Sequence, residues 1–352
     1  MKDGQEEGAR GSGENPIRVC VLGSGALGGL LGAHMIRAGA SVTLVDQGAH
    51  LEALASRGLT LIDPDGERQT LRPHHVSGDP REAGTHDIVV LGVKAYDLPS
   101  ITPCVSELLA PGGVVLPVQN GIPWWYFAAF GDPYEGRPLE SLDPGGILAE
   151  HIDPDRVIGC VSYVASEVVE PGVVQHREGQ WFPVGEPDGS QSPRVARVAR
   201  LVEDSGLRSK VLEDIRSEIW LKAWGNLSFN PISALTGATL AAICRDPGTR
   251  SLARGMMEEA REVAEALGAS FRRSIDRRIA GAEAVGEHKT SMLQDLEKGR
   301  RLELEALVGS VLELADLTGK PVPRIRAVHA LVELLASNRS EEPREPWMWE
   351  MS

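Results

Sequence analysis

Cysteine and positive charge are scarce in this chain, and long apolar runs are missing. The four cysteines, Cys20, Cys104, Cys160 and Cys244, stand far apart and form no CxxC pair. That spacing offers neither a zinc site nor a disulfide framework. They read as reduced thiols of a cytoplasmic protein, and no metal centre is expected. Lys and Arg total 36 against 50 Asp and Glu, a formal net charge of −14. An acidic surface repels phosphate backbones, which argues against nucleic acid as a partner. A small anionic substrate must then be drawn in locally, by a few placed cations. No stretch reaches the roughly 18 apolar residues of a membrane helix, so no membrane partner is expected. The opening MKDGQEEGARGSGENP lacks the apolar core of a signal peptide and reads, over residues 1–16, as a disordered tail. Residues 341–352 read as an irregular tail whose Trp347 and Trp349 are available to dock on a neighbouring surface.

What is present is enough for about two domains: 352 residues, 42% of them hydrophobic. The first half alternates strand-like and helix-like segments. Ile17 to Leu22 is a short apolar run that ends in glycines, as a buried parallel strand does. A helix is expected over 26–37, a strand over 42–45, a helix over 49–56, and further strands over 87–93 and 113–118. Strands separated by helices imply a parallel sheet with right-handed crossovers. Segments 157–161 and 172–176 look like consecutive strands, a mixed or antiparallel extension of that sheet. The stretch from Pro123 to Pro154, rich in Gly, Pro and Trp, reads as a long insertion over the sheet's rim. Beyond Glu213, apolar residues recur at three and four over 214–230, 247–268, 291–318 and 322–337, which predicts helices.

Gly23-Ser24-Gly25-Ala26-Leu27-Gly28 lies between the first strand and the first helix, the context that gives a GxGxxG its meaning. Gly23 permits the tight turn, Gly25 lets the backbone approach a pyrophosphate, and Gly28 lets the helix pack closely on the strand. The helix start then presents free N–H groups to the phosphates. Asp46 ends the second strand about twenty residues on, the position of a carboxylate that accepts from the adenosine ribose. A 2′-phosphate there would meet a like charge, so NADH is favoured over NADPH; the plainer alternative is a cap for the next helix. Lys94 follows the strand at 87–93, at the sheet's carboxyl edge, and is a candidate partner for the cofactor's phosphates or adenosine. The fold class is thus α/β: a Rossmann-type dinucleotide-binding domain over 17–212, then an all-helical substrate and catalytic domain over 213–340, with a cleft between them.

Lys222, Asn226 and Asn230 recur at four residues and share one helix face among apolar and aromatic neighbours. Hydride delivery to a ketone builds negative charge on its oxygen. A placed ammonium stabilises that charge and donates the proton, and amides hold substrate oxygens without adding charge. A second polar cluster runs from His288 through Ser291 to Asp295 and on to Glu303; read alone, Ser291 could be a helix cap and Glu303 a solvated glutamate.

Taken together these segments resemble the ketopantoate reductase family, from Ile17 to about Leu335. Five motifs in order carry the likeness: Gly23 to Gly28; Val93-Lys94-Ala95; Gln119-Asn120-Gly121; Lys222 with Asn226 and Asn230; and Ser291-Met292-Leu293-Gln294-Asp295 with Glu303. The resemblance implies a reductase of 2-oxo acids such as 2-dehydropantoate, on the route to pantothenate. The family's general-acid lysine falls on Lys222 and its active-site glutamate on Glu303. Its substrate-contacting residues fall on Asn120, Asn226, Asn230 and Ser291, and Asn120 also adjoins the cofactor. NAD(P)H lies across the first domain and the substrate in the cleft, which closes on binding. Three features depart from the pattern: Asp46, where NADPH users usually carry a neutral or basic residue; His288, where an asparagine is common three residues before the serine; and the long aromatic segment after Gly121. His288 therefore joins the candidate substrate contacts, and Trp124, Trp125 and Tyr126 either pack the insertion onto the first domain or wall the cleft for an acid bulkier than ketopantoate. A homodimer is the assembly kept in view. The competing reading is a regulatory protein that binds NAD(P) without turnover; intact Lys222 and Glu303 favour the enzyme.

Overall fold

The computed structural model describes residues 15–339. The tails expected at 1–16 and 341–352, with Trp347 and Trp349, lie outside the described residues except for positions 15 and 16. Along the chain come β1 (Arg18–Leu22), α1 (Ala26–Arg37), β2 (Ser41–Val45), α2 (Gly48–Arg57), β3 (Leu59–Ile62), β4 (Arg68–Leu71), β5 (His75–Ser77) and β6 (His86–Leu91). Next are α3 (Leu98–Ile101), β7 (Leu109–Pro117), α4 (Ile147–His151), β8 (Gly159–Cys160), β9 (Tyr163–Glu170), β10 (Val173–Trp181), β11 (Val184–Gly185) and α5 (Pro193–Asp204).

The main sheet has the order β5-β2-β1-β6-β7, and every pairing in it is parallel. The chain winds outward from β1 through β2 to β5, then crosses back to β6 and β7. The reversal falls between β1 and β6, so a crevice forms at the carboxyl ends of those strands. Alternate residues face opposite layers. Val19 and Val21 join the core under α1 and α5, while Cys20 and Leu22 join the core shared with the later helices.

The strand expected over 172–176 does not extend this sheet; instead, as β10, it joins a separate sheet, β4-β3-β10-β9, running parallel to β3 and antiparallel to β9, a strand not expected from the sequence. It packs on α1, where Gly29 makes room: a Cβ there would lie 2.8 Å from Val174 Cγ2. The strand expected over 157–161 shrinks to β8, which pairs only with β11. The segment after Gly121 is not draped over the rim either. Trp124, Trp125, Tyr126 and Phe127 are buried in the main core, because they pack on Ile215, Ile219 and Trp220 of the next helix.

The remaining chain is helical: α6 (Ile215–Thr236), α7 (Leu240–Arg245), α8 (Pro247–Ala266), α9 (Ile275–Ala284), α10 (Ser291–Glu297), α11 (Ser310–Thr318) and α12 (Pro323–Ser337). The Asp214 side chain caps α6 by accepting from Ser217 N at 2.9 Å. α6 continues past the expected end at Asn230, through Pro231, and stops at Gly237 (φ +70°). The single helix expected over 291–318 is interrupted. Gly299 adopts φ +63°, and Arg300 N bonds Asp295 O at 2.8 Å, a left-handed helix stop. The chain re-enters a helix through a π-turn at Glu305–Gly309. Among the described residues no helix is long and apolar enough to cross a membrane.

Candidate active site

The glycine loop sits at the sheet's crevice. Gly23 has φ +86°, and a Cβ on it would lie 2.5 Å from Val93 Cγ1. A Cβ on Gly28 would lie 2.1 Å from Gly23 O, whereas one on Gly25 would meet no atom within 4 Å. Gly25 is the N-cap of α1 and offers no side-chain cap. The first N–H groups of α1, beginning at the half-buried Ala26 and Leu27, thus border open space, which fits the pyrophosphate of a bound dinucleotide.

Asp46 is 8% exposed. Its Oδ2 accepts from both Ser24 N (2.7 Å) and Ser24 Oγ (2.6 Å), and its Oδ1 accepts from Gln47 N (2.8 Å). It does not cap α2, whose N-cap is Gln47. The carboxylate fastens the glycine loop to the end of β2. Three of its roughly four lone-pair directions are occupied, and the remaining one is on Oδ1.

Lys222, on α6, donates from Nζ to Asn120 Oδ1 (2.6 Å) and to Ser162 Oγ (3.0 Å). It lines an apolar chamber together with Trp124, Trp125, Leu142, Ile219 and Ala223, with Asn120 beside it. Burial pulls its pKa down to about 8, against weaker opposing pulls from Cys160 and Glu303. The indole Nε1 atoms of Trp124 and Trp125 are buried without a hydrogen-bond partner. Tyr126 belongs to the core instead, where its hydroxyl accepts from Trp220 Nε1 at 2.8 Å.

Lys94 commits two of its three donors to carboxylates. Its Nζ donates to Glu303 Oε2 at 2.6 Å and to Asp295 Oδ2 at 3.0 Å. Burial works to lower its pKa, but the Glu303 and Asp295 carboxylates outweigh that and raise it. Glu303 is buried and reaches Lys222 through its charge rather than by a hydrogen bond. Asn230 Nδ2 donates to Ser291 Oγ across a long 3.4 Å. Ser291 is the first residue of α10 and does not cap it, since Thr290 does so by accepting from Leu293 N. Asn226 and His288 are both half-buried, and neither side chain hydrogen-bonds to this cluster. Ser162 had no motif to announce it. Asp295 lay inside the Ser291 motif, but nothing in the sequence singled it out as a partner of Lys94.

Residues 19–125 match the family model described as Ketopantoate reductase PanE/ApbA, and residues 214–336 match its C-terminal counterpart. A 2-dehydropantoate 2-reductase of Mesorhizobium japonicum is 51% identical over 92% of this chain and 99% of its own length. One from Halobacterium salinarum is 34% identical over 90% and 98%. The chain belongs to the ketopantoate reductase family. A Ralstonia solanacearum MolK2 structure assigned to the ketopantoate reductases superposes with TM-score 0.87 at 38% identity, over 92% of this chain and 99% of that one. A D-mandelate dehydrogenase in complex with NADH and anilino(oxo)acetate shares the fold, with TM-score 0.77 at 19% identity. In this ketopantoate reductase family member, then, α6, the end of β7 and the start of β9 bring Lys222, Asn120 and Ser162 together. The turn before the π-turn adds Glu303 opposite Lys94.

Proposed function

We propose that the protein reduces a small 2-oxo acid to the 2-hydroxy acid, the activity for which its Mesorhizobium relative is named, 2-dehydropantoate 2-reductase. Lys222 carries this reading: an ammonium of pKa about 8 in the wall of an apolar chamber, with two of its three donors committed to Asn120 and Ser162. When bound on the glycine loop, NAD(P)H supplies the hydride. Lys222 keeps one donor for the substrate's carbonyl oxygen, where it offsets the developing charge and delivers the proton. Asn120 and Ser162 fix the direction of that donor. Lys94 pairs with Glu303 and Asp295, and Arg300 lies 3.6 Å from Asp295 Oδ1, so two cations offset the two carboxylates that would otherwise repel an anionic substrate. Asn226, Asn230, Ser291 and His288 are the proposed contacts for the acid's remaining oxygens. Catalysis is assigned to Lys222 and Glu303, and the domain division to 17–212 and 213–340.

NADH is the proposed dinucleotide. Support comes from Asp46, whose carboxylate lies at the end of β2 with one lone-pair direction still open. Trp124 and Trp125 support a substrate bulkier than ketopantoate. A reducing compartment such as the cytoplasm suits the four free cysteines. A homodimer is the proposed assembly, with Leu331 and Leu334 exposed on α12 as the surface to probe. The deciding experiment is a panel of 2-oxo acids, ketopantoate among them, assayed with NADH and with NADPH. Turnover by the wild type that disappears in Lys222→Ala supports the enzyme. Dinucleotide binding without turnover of any acid would return the protein to the regulatory reading.

A further inference from the structure

At the far end of α1 from the glycine loop, three residues from three elements converge. His34 lies in the last turns of α1, Asp63 just after β3, and His176 on β10. One potential ligand atom from each lies within 4.8 Å of the others. The histidines are 6% and 1% exposed. His34 Nδ1 lies 3.0 Å from the Ser205 carbonyl, and His176 Nε2 is bonded to the Gly179 carbonyl. A carbonyl oxygen only accepts, so each of those nitrogens carries the hydrogen. The opposite nitrogens, His34 Nε2 and His176 Nδ1, are left with bare lone pairs. Both are buried and neither has a partner.

Two buried lone pairs and a carboxylate repel one another unless something positive lies between them. The arrangement has the form of a metal site: histidines oriented by backbone carbonyls, each with one buried nitrogen left free, and a carboxylate close to both. Arg37 is the one Lys or Arg among the described residues that line the cleft, and it holds Asp63, NH1 to Oδ1 at 3.1 Å and NH2 to Oδ2 at 2.6 Å. That grip leaves lone pairs on both carboxylate oxygens. The cluster opens into a cleft that Asp65 and Asp204 also line, so the surrounding field favours a cation despite Arg37.

We propose that His34, Asp63 and His176 bind a divalent cation of the zinc type, with water in the fourth position. Bonds of about 2 Å would draw the ligand atoms inward and pin α1 to the second sheet. The site lies on the other side of the main sheet from Lys222 and shares no residue with the reductase site. It tests a different property from the reductase reading, because metal uptake needs no turnover.

The experiment is a titration of chelator-stripped full-length protein with Co²⁺, followed by visible absorption, and then displacement by Zn²⁺. One saturating equivalent with the intense bands of four-coordinate cobalt is expected, together with a rise in the melting temperature on adding Zn²⁺. His34→Gln and His176→Gln should each weaken binding by more than about tenfold. Asp63→Asn, on a half-buried turn, should do likewise and provides the test if a histidine variant does not fold, as judged by circular dichroism. Lack of a saturable equivalent in the wild type, or unchanged affinity in a folded variant, overturns the proposal.

Discussion

A lysine that titrates near pH 8 divides the two directions of a redox reaction. Reduction needs Lys222 protonated, so kcat for 2-oxo acid reduction should fall as pH rises through about 8. Oxidation of the hydroxy acid needs the free amine and should rise through the same pH. Pre-steady-state rates in both directions across pH 6–10, spanning the shifted and ordinary lysine values (about 8 and 10.5), would show the two limbs crossing. Lys222→Ala should lower kcat by roughly 10²–10⁴ while dinucleotide affinity, read by fluorescence titration, is retained. Asp46 gives a sharper test. If its open lone pair meets the ribose, Asp46→Asn raises KM for NADH more than for NADPH; equal losses would mean that it only fastens the loop. The glycine loop and the lysine face were legible in the sequence because each depends on local spacing. The Asp46–Ser24 clasp and the Lys94 pairs were not. Lys94 meets partners 201 and 209 residues away, and no local pattern encodes such a pairing.

At the scale of elements, helix periodicity located α8, α12 and the start of α6 to within a few residues, and it failed where a special backbone intervened. Pro231 reads as a stop, yet α6 passes through it, since apolar burial on both sides outweighs the hydrogen bond that proline cannot donate. The stop at Gly299 went unread because an isolated glycine in an apolar pattern is compatible with a continuous helix. That stop is functional, because the chain between α10 and the π-turn carries Glu303 to Lys94. Of the second sheet only β10 was legible; its antiparallel partner β9 and its parallel partner β3 were not, because pairing with β3 depends on how closely α1 lets β10 approach. The aromatic segment makes a prediction of its own. Trp124→Ala should enlarge the chamber, raise kcat/KM for larger 2-oxo acids relative to ketopantoate, and cost about 3–5 kcal/mol of stability, the usual range for a buried Trp-to-Ala change. Parallel steady-state assays and chemical denaturation would measure both.

Across the whole molecule, the two sides of the proposed boundary near residue 213 share one continuous apolar core, in which Trp124 to Phe127 join Ile215, Ile219 and Trp220, and polar bridges cross it at the site. Lys222 on the helical side reaches Asn120 and Ser162 on the sheet side, and Lys94 reaches back to Glu303 and Asp295. The overall charge of −14 leaves an anionic substrate to be attracted at short range, by Lys222. One bridge is different in kind. Ile122 N bonds Ala306 O at 3.1 Å, and a Cβ on Gly121 (φ +92°) would sit 2.0 Å from that same oxygen. Here the two halves touch main chain to main chain, with no side chain between them to give way. Such a contact leaves no slack: an atom added there must push one backbone away from the other. Gly121→Ala would wedge it open. Adverse φ alone costs on the order of 1–3 kcal/mol, but the larger effect should be mechanical. With the contact shimmed by a single methyl group, Lys222 no longer meets Asn120, and kcat should fall more steeply than the melting temperature suggests.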